Sequence, residues 1–485
     1  MRELTWESLR RPGVPAWLRE AKFGIYTHWG IYSVPACGPN VSWYPSNMYL
    51  GGTDQNRFHI EHYGHPSKFG YKDFIPMFTG DRFDPDEWAE MFRKAGAGFA
   101  GPVAEHHDGF SMWNSAVNPW NSARMGPKRD VAGELEKAIR RQGMKFMVAL
   151  HHAENWRFYP HWIPGYDTAD PRYAGLYGAP HDMGFAKYMV GERFVLPDGM
   201  EFWNSQQKPD RAALDTWLRK AEEIVDRTSP DMVWFDFGLS MVPDSWKMRF
   251  LKYYYETSEA KGIDPLVTYK HHDLPAGCGL IDLELGRYDD LTYMEWITDT
   301  TVDDGEAWGY RYDASYKTPR TLIHYLVDNV SKNGYLLLNV GPTSRGEFPP
   351  QAKEILTEMG KWLRVNGEAV YGTSPWVTYG CGPTRLEASG SFNEGKTPKY
   401  TSEDVRFTVK GRTLYAVVLG WPKNGLVLRN LPQDFRSEEI CSVSMLGSEE
   451  PVFWRMDGCD LTLSCPKMPP CDHAYTFRIR RKDLL

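Results

Sequence analysis

Three times before residue 240 the chain runs one cycle: an amphipathic helical stretch, a turn, and a short apolar run that stops on a polar side chain. In the first cycle, Asp84-Pro85 supplies a cap and a first-turn proline, Trp88, Met91, Phe92 and Ala95 form the buried stripe, and Gly96 and Gly98 end the helix. Phe99 to Ala104 follows and stops at Glu105-His106-His107-Asp108-Gly109. In the second, Val131, Leu135, Ala138 and Ile139 precede Gly143, and Lys145 to Leu150 stops at His151-His152. In the third, Leu214, Trp217, Leu218, Ala221, Ile224 and Val225 lead to Ser229-Pro230, and Met232 to Phe235 stops at Asp236. Apolar runs this short read as strands walled on both faces, so the cycle predicts parallel β/α units with right-handed crossovers.

The pattern extends in both directions. The segment Ala21 to Ser33, containing Lys22 to Gly30, reads as a first strand that ends on His28, and helix Trp246 to Tyr255 precedes a strand Pro265 to Tyr269 ending at Lys270-His271-His272-Asp273. A helix over Leu322 to Val330 feeds the strand Tyr335 to Val340, and Pro349-Pro350 opens a helix carrying Ile355, Met359, Trp362 and Leu363. Past Tyr371 the helical period gives way to short alternating runs such as Val405 to Val409 and Leu414 to Val418. This predicts a barrel over residues 1–374 and a β-rich domain over 375–485. Between Trp156 and Gln207 the periodicity lapses into a loop with Tyr159, Trp162, Tyr166, Tyr173, Tyr177, Phe194 and Trp203, which reads as a wall or lid over the site.

Composition narrows the function. A net charge of -7 leaves no basic footprint for nucleic acid or an anionic membrane. No apolar stretch approaches a membrane span, and the N-terminus has no secretory h-region, so the expected location is cytoplasmic. Seven cysteines without a CxxC pair read as free thiols. The 14% aromatic content suits sugar faces or a tryptophan-rich core.

Polar residues at the carboxyl ends of parallel strands are where barrel active sites are built. An acid closing an apolar strand makes Asp236 the candidate nucleophile; its competing roles are a helix cap or a partner for a buried arginine. Metal ligation by the histidine pairs is disfavoured, because adjacent strand residues face opposite ways unless the strand ends between them, and no HxH or HExxH spacing occurs. No metal and no cofactor are expected.

Six motifs then resemble, in order, the α-L-fucosidases of glycoside hydrolase family 29: Phe23 to Gly30, His106-His107-Asp108-Gly109-Phe110, Trp234-Phe235-Asp236, Trp308-Gly309-Tyr310, Ser331 to Gly334 with Leu337 to Pro342, and Asn366 to Gly372. The resemblance implies a distorted (β/α)8 TIM-like barrel followed by a C-terminal β-sandwich domain. It also implies a retaining, exo-acting enzyme that removes terminal α-L-fucose from an oligosaccharide or glycoconjugate, with Asp236 as nucleophile. Retention needs a second carboxyl group about 5 to 5.5 Å away. Glu284, in Leu283-Glu284-Leu285-Gly286-Arg287, resembles the acid/base segment of some members and is favoured. Other members use a Trp-Glu-Thr glutamate, which here reads Trp296-Ile297-Thr298, leaving Glu295 as the alternative.

By the same resemblance His28, His106, His107 and Trp234 contact fucose. His152, in a His151-His152 pair that replaces the usual Tyr-Tyr, is placed in the same shell, and Ser42-Trp43-Tyr44 replaces Glu-Trp-Tyr. Trp43 and Trp308 are expected platforms for the sugar's apolar face. The alternatives are a carbohydrate-binding barrel that has lost its acid, a glycosidase for a related sugar such as α-L-galactose, or a metal-dependent hydrolase. The oligomeric state is left open.

Overall fold

The computed structural model describes residues 2–482 apart from 183, 185, 191, 192, 196–207, 306 and 397. Eight parallel strands close into a barrel in chain order: β1 (Phe23–Thr27), β2 (Phe99–Glu105), β3 (Lys145–Leu150), β4 (Met232–Phe235), β5 (Leu266–Lys270), β6 (Leu280–Asp282), β7 (Trp296–Thr301) and β8 (Gly334–Val340). Closure is the β1–β8 ladder, with Ile25 opposite Leu338, continued on the other side of β1 by Ile25 opposite Ala100.

Helices α1 (Pro85–Ala95), α2 (Val131–Arg141), α3 (Arg211–Thr228), α4 (Asp244–Ala260), α5 (Pro319–Ser331) and α6 (Pro350–Asn366) form the outer ring. The first begins as its residues dictate: the Asp84 carboxylate accepts the backbone N–H groups of Asp86 and Glu87, Pro85 needs no N–H partner, and Gly96 leaves at φ 97° in the left-handed region. Residues 271–279 and 283–295, on either side of β6, contain no helix, and β6 meets β7 at one step, Asp282 opposite Ile297. This is the distortion of the barrel. Sequence periodicity missed β6 and β7, since one is three residues long and the other, Trp-Ile-Thr-Asp-Thr-Thr, is buried without being apolar.

Inside the barrel Tyr26, Phe99, Val103, Met147, Met232, Trp234, Leu266, Ile297, Tyr335 and Leu337 pack on one another, while Ile25, Phe146, Val148, Val233, Phe235 and Leu338 face the helices. The loop after β3 carries its buried aromatics into this outer core: Tyr159, Tyr166 and Tyr177 join Tyr49 and Tyr71, and Asp167 accepts from Tyr49 and Tyr177 at 2.7 and 2.6 Å. That part of the loop is packed structure rather than a wall over the site; Trp203 lies outside the described residues.

An antiparallel domain follows. Strands β9 (Ser374–Cys381), β10 (Val405–Lys410), β11 (Thr413–Val418), β12 (Leu426–Leu428), β13 (Ile440–Met445), β14 (Trp454–Asp457), β15 (Asp460–Leu463) and β16 (Tyr475–Arg481) form two sheets, ordered β9-β10-β11-β16-β13 and β12-β15-β14. Phe407, Leu414, Phe477 and Ile479 from one sheet share a core with Leu426, Leu428, Leu461 and Leu463 from the other, which makes a β-sandwich.

Candidate active site

Strand alternation selects the site. Residues of one parity face the barrel interior, and at the carboxyl end that parity continues from Tyr26 to His28, from Ala149 to His151, from Trp234 to Asp236, and along Thr268 to Lys270 and Leu337 to Asn339. On β2 a register irregularity between Val103 and Glu105 reverses the order. Glu105 is thereby turned outward, where Lys220 of α3 binds it at 2.6 Å, and His106 is turned in. Because the strand stops at Glu105, His107 reaches the same pocket as His106. The cavity is about 820 Å³ and is lined by Tyr26, His28, Trp43, His106, His107, His151, Trp234, Asp236, Lys270, Glu284, Asp299, Trp308 and Phe392, among others. A smaller cavity of about 220 Å³ lies on the outer side of β3 beside His152, Trp217 and Lys220, and holds neither Asp236 nor Glu284.

Lys270 is the hub. Its ammonium lies 3.3 Å from Asp236, 2.6 Å from Glu284, 3.6 Å from Asp282 and 3.7 Å from Asp299, and stands over the Trp234 ring at 4.8 Å. Burial works against its charge, but Asp299, Glu284, Asp236 and Asp282 outweigh burial and hold its pKa well above the lysine range. The other Asp236 oxygen is approached by His107 Nε2 at 3.2 Å and His151 Nδ1 at 3.0 Å. Burial disfavours the Asp236 anion, yet His151 and the Lys270 ammonium beside it prevail and hold its carboxyl well below the usual range.

Glu284 goes the opposite way. Burial pushes its carboxyl up, Lys270 draws it back, the anions of Asp236 and Asp299 add to the rise, and it stands at about 7. With both carboxylates on one ammonium, at 3.3 and 2.6 Å, those oxygens are no further apart than the two distances laid end to end, which accommodates the separation of about 5 to 5.5 Å needed for retention. Burial also raises Asp282 well above the carboxylate range, with the Asp299 anion beside it, and Tyr26 donates to Asp299 at 2.6 Å.

Two expectations are corrected. Glu295 has the inward parity of Asp299 but precedes β7, so it lies at the opposite end of the barrel, where Arg19 holds it at 3.0 and 2.8 Å and Tyr335 at 2.5 Å. It cannot reach a sugar held by Asp236. His152 faces outward, its Nε2 3.1 Å from the Trp217 carbonyl, and His151 is the member of that pair in the pocket. Counting alternate residues back from His151 through Ala149 and Met147 carries this signal in the sequence. His28 is positioned by Asn339 at 2.9 Å and stacks on Trp308 at 5.3 Å, and Trp43 lies parallel to Phe237 at 6.2 Å. Lys270, read only as a strand end, and Phe392, from the segment between barrel and sandwich, were missed. Phe392 donates its N–H to the Glu284 carbonyl at 2.7 Å and so brings residues beyond the barrel to the pocket mouth.

Ligand atoms of His28, His106 and His151, and of His107, His151 and Asp236, lie within 4.8 Å of one another, so the inward histidines do converge. A parallel barrel whose carboxyl-end pocket sets an ionised and a protonatable carboxyl group side by side, among aromatic rings, is built as glycoside hydrolases are.

Comparison with known proteins narrows the class. The α-L-fucosidase family model matches residues 2–368 and the α-L-fucosidase C-terminal domain model residues 399–480. Tissue α-L-fucosidases of Rattus norvegicus and Homo sapiens are each 31% identical, over 98% of this chain and 92% and 91% of theirs. The Thermotoga maritima α-fucosidase solved with a mechanism-based inhibitor superimposes with a TM-score of 0.77 at 27% identity, covering 99% of this chain and all of that one. The chain belongs to the α-L-fucosidase family.

Proposed function

We propose that this protein hydrolyses terminal α-L-fucosides of glycans with retention, Asp236 acting as nucleophile and Glu284 as acid and then base. The observation that carries the reading is the opposite shift of two carboxyl groups on one lysine: Asp236 is held as an anion and Glu284 stands at about 7. Asp236 attacks the anomeric carbon while the bond to the leaving oxygen breaks and Glu284 gives that oxygen its proton. The product of this half is a β-linked fucosyl ester of Asp236 and the free aglycone. Water then attacks the anomeric carbon, Glu284 takes its proton, the ester bond breaks, and α-L-fucose leaves. Imidazoles of His28, His106, His107 and His151 suit vicinal hydroxyls, and Trp308 offers a flat apolar face. Seven free thiols support a reducing, cytoplasmic setting. Among the described residues no helix is long and apolar enough to cross a membrane.

Proton NMR of an aryl α-L-fucoside during turnover tests the reaction. The α anomer of fucose is expected as the first product; the β anomer, or no release of sugar, overturns the proposal.

A further inference from the structure

The pocket also presents the donor set of a transition-metal site. His107 Nδ1 lies 2.8 Å from the backbone carbonyl of His151, which can only accept, so Nδ1 carries the proton. His107 Nε2 faces a carboxylate oxygen of Asp236 at 3.2 Å. His151 Nδ1 stands 3.0 Å from the same oxygen, and its Nε2 is buried without a hydrogen-bond partner. Three donors of the right kind are thus turned on one another, all within 4.8 Å and all buried.

The two distances to Asp236 fit a small divalent ion. Tetrahedral ligands at about 2.0 to 2.1 Å from zinc are about 3.3 Å apart, close to both Asp236 distances. The hydrogen bond from His107 Nδ1 to a carbonyl is the outer contact that fixes the tautomer of a metal-bound histidine. All three groups line the sugar cavity, and His28 and His106 lie beside His151 as further imidazoles.

We propose that His107 Nε2, His151 Nδ1 and Asp236 Oδ2 bind a divalent transition-metal ion of the zinc kind, which occupies the sugar's place and switches the pocket off. The inhibitory part rests on the sugar-pocket reading above; the metal site does not. His151 is decisive, since its ring is common to both groups of converging ligand atoms.

Calorimetric titration of the chelator-treated full chain with Zn²⁺ tests this, on wild type, on His151→Phe, and on wild type saturated with L-fucose. One equivalent is expected on the wild type, displaced by fucose, with affinity at least about tenfold weaker in His151→Phe, since loss of even an outer contact of a ligand costs that much. Zinc that binds wild type and variant alike, or binds neither, overturns the proposal. Zinc lost in the variant but indifferent to fucose upholds the metal site and counts against the sugar's place in this pocket. Hydrolysis of an aryl fucoside by metal-free wild type reports on the glycosidase reading separately. Should His151→Phe fail to fold, Co²⁺ on the wild type decides: the intense visible absorption of a four-coordinate ion, bleached by zinc, is expected, and the weak spectrum of hydrated cobalt overturns the site.

Discussion

Removing the Asp236 carboxylate as Asp236→Ala should lower kcat by more than about a thousandfold with the fold intact, because no other group can form the ester. Added azide should restore part of the rate and yield β-L-fucosyl azide; substantial activity in the variant without azide would contradict the assignment. Glu284→Gln should slow substrates with poor leaving groups by about 10² to 10⁴ and spare aryl fucosides with good ones, since only the former need a proton. Glu295→Gln should leave that leaving-group dependence alone and cost about 1 to 2 kcal/mol of stability, read by denaturant unfolding, because it breaks the Arg19 and Tyr335 contacts. For pH, the active form has Asp236 ionised and Glu284 protonated. kcat/KM should therefore fall as pH rises through about 7, where Glu284 loses its proton. Lys270 draws both carboxyl groups down, so Lys270→Met should move both limbs of the profile to higher pH. A stationary or acid-shifted profile would speak against Lys270 as the hub.

At the scale of the element, the loop after β3 should behave as core. Tyr159 is fully buried, packs on Tyr177 at 4.7 Å and donates to the Asp108 carbonyl at 3.1 Å, so Tyr159→Ala should cost about 3 to 5 kcal/mol. Activities on natural oligosaccharides and on small aryl fucosides should then fall together with the melting temperature; selective loss of the oligosaccharide activity would restore the loop as a sugar-binding wall. The same scale shows what could be read in advance. Asp236 was legible because an acid interrupts a strand that is otherwise apolar, and His28 because a short run ends on it. Which member of His151-His152 faces inward follows from alternation, but Glu105 and His106 exchange faces through an irregularity that no residue pattern announces. Strands β6 and β7 were illegible because Asp282, Thr298, Asp299 and Thr300 are polar residues that are nonetheless buried, which leaves no apolar run to read. Lys270 escaped for a related reason: its meaning lies in four carboxyl groups brought from three different segments.

Barrel and sandwich are joined by charge as well as by packing. Asp328 of α5 is buried and accepts from Arg406 of β10 at 2.5 Å and from Lys332 at 2.9 Å, with Arg287 at 3.5 Å. Those cations outweigh burial and hold its carboxyl well below the usual range. Asp328→Ala would leave three buried cations without their anion and should cost about 3 to 5 kcal/mol, seen as a lower melting temperature. Since Phe392 carries chain from beyond the barrel to the Glu284 carbonyl, loosening that junction should also raise KM. For the molecule as a whole, the central claim is that one fucosyl group passes through one carboxylate. The most direct measurement is incubation with a 2-fluoro-fucosyl fluoride, whose fluorine slows breakdown of the ester, followed by intact-mass and peptide mapping. One adduct per chain on the peptide containing Asp236 is predicted; an adduct on any other carboxylate, Glu284 included, or none while the enzyme still turns over aryl fucosides, would contradict the account.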